Sequence, residues 1–130
     1  MDYVSGEEGL LMAPVYAVPR LLDRNGLSLA DFDVVEIHEA FASTVLATLA
    51  AWQDAAYCKE RLGRDGPLGT VDRERLNPAG SSLAAGHPFA ATGARILATA
   101  AALLAERGGG RALISICAAG GNGLTAIVQR

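Results

Sequence analysis

Aromatic residues are scarce in this 130-residue chain, at 5%. Its core must therefore be aliphatic, rich in Ala and Leu, as in layered α/β proteins. Cysteine is equally sparse. Cys58 and Cys117 are the two thiols, too few for a disulfide framework. Basic residues reach no density expected of a nucleic-acid binder, and the net charge is −3. Acidic Asp2, Glu7 and Glu8 stand where a secretory signal would be basic. The longest uncharged stretch, Ala112 to Gln129, is broken by Gly120, Gly121 and Gly123, so it predicts two buried strands rather than a membrane span. No internal repeat is evident. Apolar residues at 51% against charged residues at 19% exclude a disordered composition. These absences leave one soluble α/β unit, expected in the cytoplasm.

The chain reads as helices alternating with strands. Residues 1–9 predict no element. Ala13 to Arg24 has helical spacing, with Pro14 or Pro19 in its first turn and Gly26 as its stop. Ser28 to Asp31 has the spacing of a capped turn. Asp33 to His38 reads as a buried strand. Phe41, Val45, Leu49 and Trp52 predict a helix starting near Glu39, with Phe41 in the core. Residues 59–76 read as a helix end and an exposed loop. Asn77 to Pro88 is a Gly/Ser-rich connector. Ala91 to Arg107 is a helix, with Ile96, Leu97, Ala100, Leu103 and Leu104 on one buried face. Arg111 to Ala118 and Leu124 to Gln129 predict a hairpin. Strands are few, so any further strand the sheet needs is either missing from the chain or within residues 1–9.

Three segments carry chemistry. Cys117 precedes a glycine run, His87 sits between Gly86 and Pro88, and His38 opens His38-Glu39-Ala40-Phe41-Ala42. A thiol, an imidazole and glycine-freed backbone N–H groups are what acyl transfer at a thioester needs. Each alone has a plainer reading. His38 could be a hydrogen-bonded structural residue, His87 a turn histidine, Cys117 a buried strand thiol, and Glu39 a first-turn carboxylate. Cys58 reads as a small core or surface thiol in a helix. Strand ends in α/β sheets do converge where ligands bind.

In this order, the motifs resemble the C-terminal domain of the thiolases, the 3-ketoacyl-CoA thiolase and acetyl-CoA acetyltransferase family. The resemblance runs from about Leu10 to Arg130, leaving residues 1–9 unassigned. The family's N-E-A-F-A-like segment is matched by His38 to Ala42. Its N-x-x-G-G…G-H-P-x-G-x-[ST]-G-x-R is matched from Asn77 to Ser81 and from Gly86 to Arg95, and its C-x-G-G-G-x-G by Cys117 to Gly123. Four departures stand out. His38 replaces the common Asn, which is similar to the β-subunits of the fatty-acid oxidation trifunctional complexes. Ser81 and Ala90 replace glycines. The nucleophilic cysteine of the thiolase N-terminal domain has no counterpart here, and Cys58 lies in no matching context.

The resemblance implies a layered mixed sheet with helices packed on it, and an acyltransferase acting in fatty-acid β-oxidation. The implied reaction is reversible transfer between 3-ketoacyl-CoA and CoA. His87 would activate the nucleophilic thiol supplied from outside the chain. Cys117 would exchange a proton at the acetyl α-carbon. His38 would help hold the oxygen or water of one oxyanion hole, and Ala119 and Gly120 would form the backbone of a second. CoA thioesters enter as substrates, with no metal or redox cofactor implied. Implied partners are an N-terminal thiolase half or a second copy of the chain, and for that branch a hydratase/dehydrogenase α-subunit. The contrasting class is a truncated, non-catalytic remnant serving as an interaction domain.

Overall fold

A computed structural model describes residues 2–4 and 6–130. The strands are β1 (Asp2–Tyr3), β2 (Val34–Ile37), β3 (Arg111–Ala118) and β4 (Asn122–Gln129). The helices are α1 (Ala13–Asn25), α2 (Ala42–Gln53), α3 (Ala55–Leu62), α4 (Ser82–Ala85) and α5 (Ala90–Glu106). The sheet order is β1-β4-β3-β2. Strands β2 and β3 are parallel, while β3–β4 and β1–β4 are antiparallel, so the sheet is mixed. The layered α/β expectation holds, and a further strand does lie within residues 1–9. Met1 and Ser5 of that unassigned segment fall outside the described residues.

The sheet separates two apolar layers. On one face Val35, Ile37 and Leu113 pack with Val15, Val18 and Leu22 of α1 and with Val45, Leu49 and Trp52 of α2. On the other, Val34, Ala112 and Ile114 meet Ile96, Ala100 and Leu104 of α5. The period-2 alternation of β2 therefore sends Val35 and Ile37 one way and Val34 the other. Leu97 departs from the expected buried stripe and is half exposed, because α5 turns the Ile96–Ala100–Leu104 row to the sheet, with Leu103 flanking it. The predicted second buried strand is also only partly covered. Strand β4 keeps most of its side chains half exposed.

Pro19 sits inside α1 and removes the N–H that would have bonded the Val15 carbonyl four residues back. The indole N–H of Trp52 donates to that carbonyl instead, at 3.2 Å. A buried backbone acceptor that the helix cannot satisfy is thus satisfied from α2, which locks the two helices together. Gly26 ends α1 at φ 63°, and the Leu27 N–H reaches back to the Leu22 carbonyl at 3.0 Å. Trp52→Phe should cost about 1–3 kcal/mol for the orphaned carbonyl alone. Urea denaturation would show a smaller loss from the same change in a Pro19→Ala background, where α1 regains its own N–H. Equal losses in both backgrounds would mean the indole bond carries nothing.

Candidate active site

The chain leaves β2 at Ile37 and enters the His38–Phe41 segment. Helix α2 starts at Ala42, later than the sequence predicts, because Glu39 is engaged elsewhere. One Glu39 carboxylate oxygen accepts from Asn77 Nδ2 at 2.9 Å, and the other from the Leu83 N–H at 3.0 Å. Glu39 is therefore a staple between strand end and connector, not a first-turn carboxylate. Asn77 itself mimics a strand partner. Its Oδ1 accepts from the Ile37 N–H at 2.8 Å and its Nδ2 donates to the Ile37 carbonyl at 3.0 Å. It does so at φ 46°, a left-handed conformation that asparagine tolerates better than most residues.

This anchoring brings the two histidines together. The His38 and His87 ring centroids are 4.3 Å apart, tilted by 49°. His38 Nδ1 lies 2.8 Å from Ser82 Oγ, and His87 Nδ1 lies 2.7 Å from Thr92 Oγ1 in the first turn of α5. Cys117 arrives from the last turn-ward residues of β3, paired in register with Gly123. Gly123 is required there. A Cβ at that position would meet the Ala13 and Pro14 backbone at 2.8 Å, so only glycine lets α1 close over the hairpin beside Cys117.

His38, His87, Cys117 and Ala119 line one cavity of about 440 Å³. Gly120 does not line it. It turns the hairpin at φ 80° instead. Phe41 and Phe89 also line the cavity. Phe41 is 61% exposed and so is not the core residue its spacing suggests. Phe89 is 83% exposed at φ 36°, an uncommon conformation for a bulky residue, and its ring stands 5.2 Å from that of His87. Cys58 lies elsewhere, fully buried in α3, with its Sγ against the Ala51 carbonyl at 3.4 Å.

Burial shapes the charge states. It pushes the pKa of His38 down, and the neighbouring His87 and Arg95 push it further the same way against the pull of Glu39. Burial raises the Cys117 thiol above its ordinary value. Glu36, on the β2 face toward α5, is fully buried with no hydrogen bond to its carboxylate among the described residues. Burial pushes it up to about 7, with Arg95 drawing it back down. At neutral pH the site thus holds a neutral imidazole at His38 and a protonated thiol at Cys117. Sequence motifs had included Asn77, Thr92 and Arg95 without assigning them partners. Ser82 carried no signal at all, since its bond to His38 spans a sequence separation of 44.

The sequence matches the model of the thiolase C-terminal domain over residues 3–130. The chain belongs to the thiolase family. It is 47% identical over 123 residues to a probable 3-ketoacyl-CoA thiolase of Caenorhabditis elegans, covering 95% of this chain and 28% of that protein. A 3-ketoacyl-CoA thiolase of Colwellia psychrerythraea is 47% identical over 122 residues, covering 94% and 28%. Among solved structures, the peroxisomal 3-ketoacyl-CoA thiolase of Saccharomyces cerevisiae superposes with a TM-score of 0.67 at 35% identity, over 90% of this chain and 28% of the other. That enzyme is described as five layers built from two core domains of identical topology. This thiolase domain spans little more than a quarter of the length of these relatives. None of its described helices is long and apolar enough to cross a membrane.

The raised thiol makes a direct prediction. Alkylation of Cys117 by iodoacetamide should be slow at pH 7 and should climb with pH beyond the range of an ordinary exposed thiol, because only the thiolate attacks. Mass spectrometry of the modified peptide resolves Cys117 from Cys58. Full-rate labelling of Cys117 already at pH 7 would contradict the account of its environment.

Proposed function

We propose that this chain is the C-terminal catalytic half of a 3-ketoacyl-CoA thiolase, working with an N-terminal half that carries the nucleophilic cysteine. The observation that carries this reading is the gathering of two histidines, a thiol and the Ala119 backbone around one apolar cavity. The names of the relatives supply the substrate class: 3-ketoacyl-CoA thioesters and CoA.

On this reading the partner's thiolate attacks the keto carbon of the substrate, and His87 takes the thiol proton beforehand. The bond between the keto carbon and the α-carbon then breaks, leaving the shortened acyl group on the partner's sulfur. The departing α-carbon takes a proton from Cys117. CoA next gives its thiol proton to the Cys117 thiolate, attacks the acyl thioester, and releases shortened acyl-CoA and the partner's thiolate. Cys117 suits the proton-carrying role because its raised pKa keeps it a thiol at rest and makes the thiolate left after the transfer a ready base. A resting nucleophile would need the opposite shift. His38 and His87 serve one thioester or keto oxygen, and the Ala119 N–H serves another. No step calls on a metal or redox group, and CoA is a substrate. The exposed Phe41 and Phe89 lining the cavity supply apolar surface for the covering half. A cytoplasmic location and a place in fatty-acid β-oxidation belong to the same proposal, as does association with a hydratase/dehydrogenase α-subunit.

The test uses acetoacetyl-CoA and a longer 3-ketoacyl-CoA with CoA. The chain alone should show no thiolysis. Mixed or fused with the N-terminal half of a relative, it should turn over, and His87→Ala should lower kcat/KM by roughly a hundred- to ten-thousandfold. A well-folded assembly without turnover would favour the remnant reading. Turnover by the chain alone that vanished in Cys117→Ser would make Cys117 the nucleophile and overturn the assignment.

A further inference from the structure

Behind His38 lies a chain of polar contacts that the proposed chemistry does not use. Arg95, on α5, donates from Nη2 to Ser82 Oγ at 2.9 Å and to Ser81 Oγ at 3.3 Å. Ser82 Oγ in turn lies 2.8 Å from His38 Nδ1. All three positions are shielded: Ser82 is 5% exposed and His38 is 2% exposed, while Arg95 Nε is buried without a hydrogen-bond partner among the described residues. Glu36, buried on the β2 face, is near enough for Arg95 to draw its burial-raised pKa back down.

The direction of these bonds follows from the donor and acceptor inventory. A guanidinium has donors and no acceptor, so Ser82 must accept from Arg95. The Ser82 hydroxyl proton is then free to donate, and His38 Nδ1 is the acceptor recorded beside it among the described residues. If Nδ1 carried a proton instead, Ser82 would accept twice and its own proton would be buried without a partner. We propose that Arg95 and Ser82 are positioning residues that fix His38 as the Nε2–H tautomer, so that the ring presents a hydrogen-bond donor to the cavity. No protein group among the described residues takes a hydrogen bond from Nε2, and His38 lines the cavity. The donor is thus available to a ligand oxygen, which on the thiolase reading is the keto or thioester oxygen; that part of the inference rests on the proposed function.

Charge favours the same state. The groups facing His38 are His87 from the connector, Arg95 from α5 and Glu39 from its own segment. Burial and the two basic neighbours outweigh Glu39, so the imidazole stays neutral at pH 7. A neutral donor can polarise a carbonyl oxygen without giving up its proton, and it stands ready before the substrate arrives. Ser82 lies in a one-turn helix and holds the ring orientation, while Arg95 holds Ser82.

The chain holds two histidines, so ring nitrogens can be read individually. The full 130-residue protein, labelled with 15N at histidine, would be recorded at pH 7 by long-range proton–nitrogen correlation, with His38→Asn assigning the signals. His38 should show a protonated Nε2 and a bare Nδ1, in one tautomer. Ser82→Ala should lose that single-tautomer signature and give a mixture, Arg95→Met should move the spectrum the same way, and Ser82→Thr should restore it. A wild-type His38 protonated at Nδ1, or charged at pH 7, would overturn the proposal without any variant. So would a Ser82→Ala spectrum that kept pure Nε2–H. This readout needs no turnover, so an inactive assembly with the expected tautomer would sink the thiolase reading and leave the relay standing.

Discussion

The side chain of Asn77 is the contact on which the site depends. Strand β2 is the edge of the sheet, and an open edge is normally a liability. Here the connector covers it. Leu76 bridges Val35 in parallel, the Val35 N–H donates to the Arg75 carbonyl at 2.8 Å, and the Asn77 N–H donates to the Val35 carbonyl at 2.9 Å. The Asn77 amide then extends this ladder by one step past the backbone, onto Ile37 and Glu39. Everything that follows in sequence, Ser82 beside His38 and His87 over its ring, is placed by that anchor. A residue without both a donor and an acceptor on a short side chain could not make the same bonds.

The second constraint is the apolar lining of the cavity. The cavity is walled mainly by apolar residues, and three groups within or behind it are biased toward their neutral forms: His38 by lowering, Cys117 and Glu36 by raising. Neutral donors and thiols in a low-dielectric pocket interact more strongly with a developing charge than they would in water. For the proposed acyl transfer, this suits a site in which negative charge appears on oxygen and on an α-carbon and must be met without prior solvent reorganisation. Arg95, half-buried, is set back from the cavity and spends its recorded hydrogen bonds on serine hydroxyls.

Much of this was legible in the sequence. Helix α1 with its glycine stop, the strand from Arg111 to Ala118 and the three chemical segments all carried local signals strong enough to read. The family followed from the order of the motifs. What sequence could not supply was tertiary. Helical spacing drew the start of α2 back to Glu39 because nothing local shows that its carboxylate is taken by Asn77 and Leu83 from across the connector. Phe41 looked like core because it continues the Val45–Leu49–Trp52 stripe, yet it precedes the helix and turns into the cavity. Strand β1, at two residues, is too short to show a pattern, and Ser82 takes its meaning from residues far away in the chain.

The division of labour between His87 and Cys117 is the centre of the functional account. It is tested most directly by measuring two partial reactions on one protein: transfer of labelled acyl group to the partner half, and deuterium exchange at the acetyl α-carbon. In an active assembly carrying Cys117→Ala, acyl transfer should persist while α-proton exchange falls by roughly a hundredfold or more. Loss of acyl transfer with exchange intact would contradict the account and reverse the two roles.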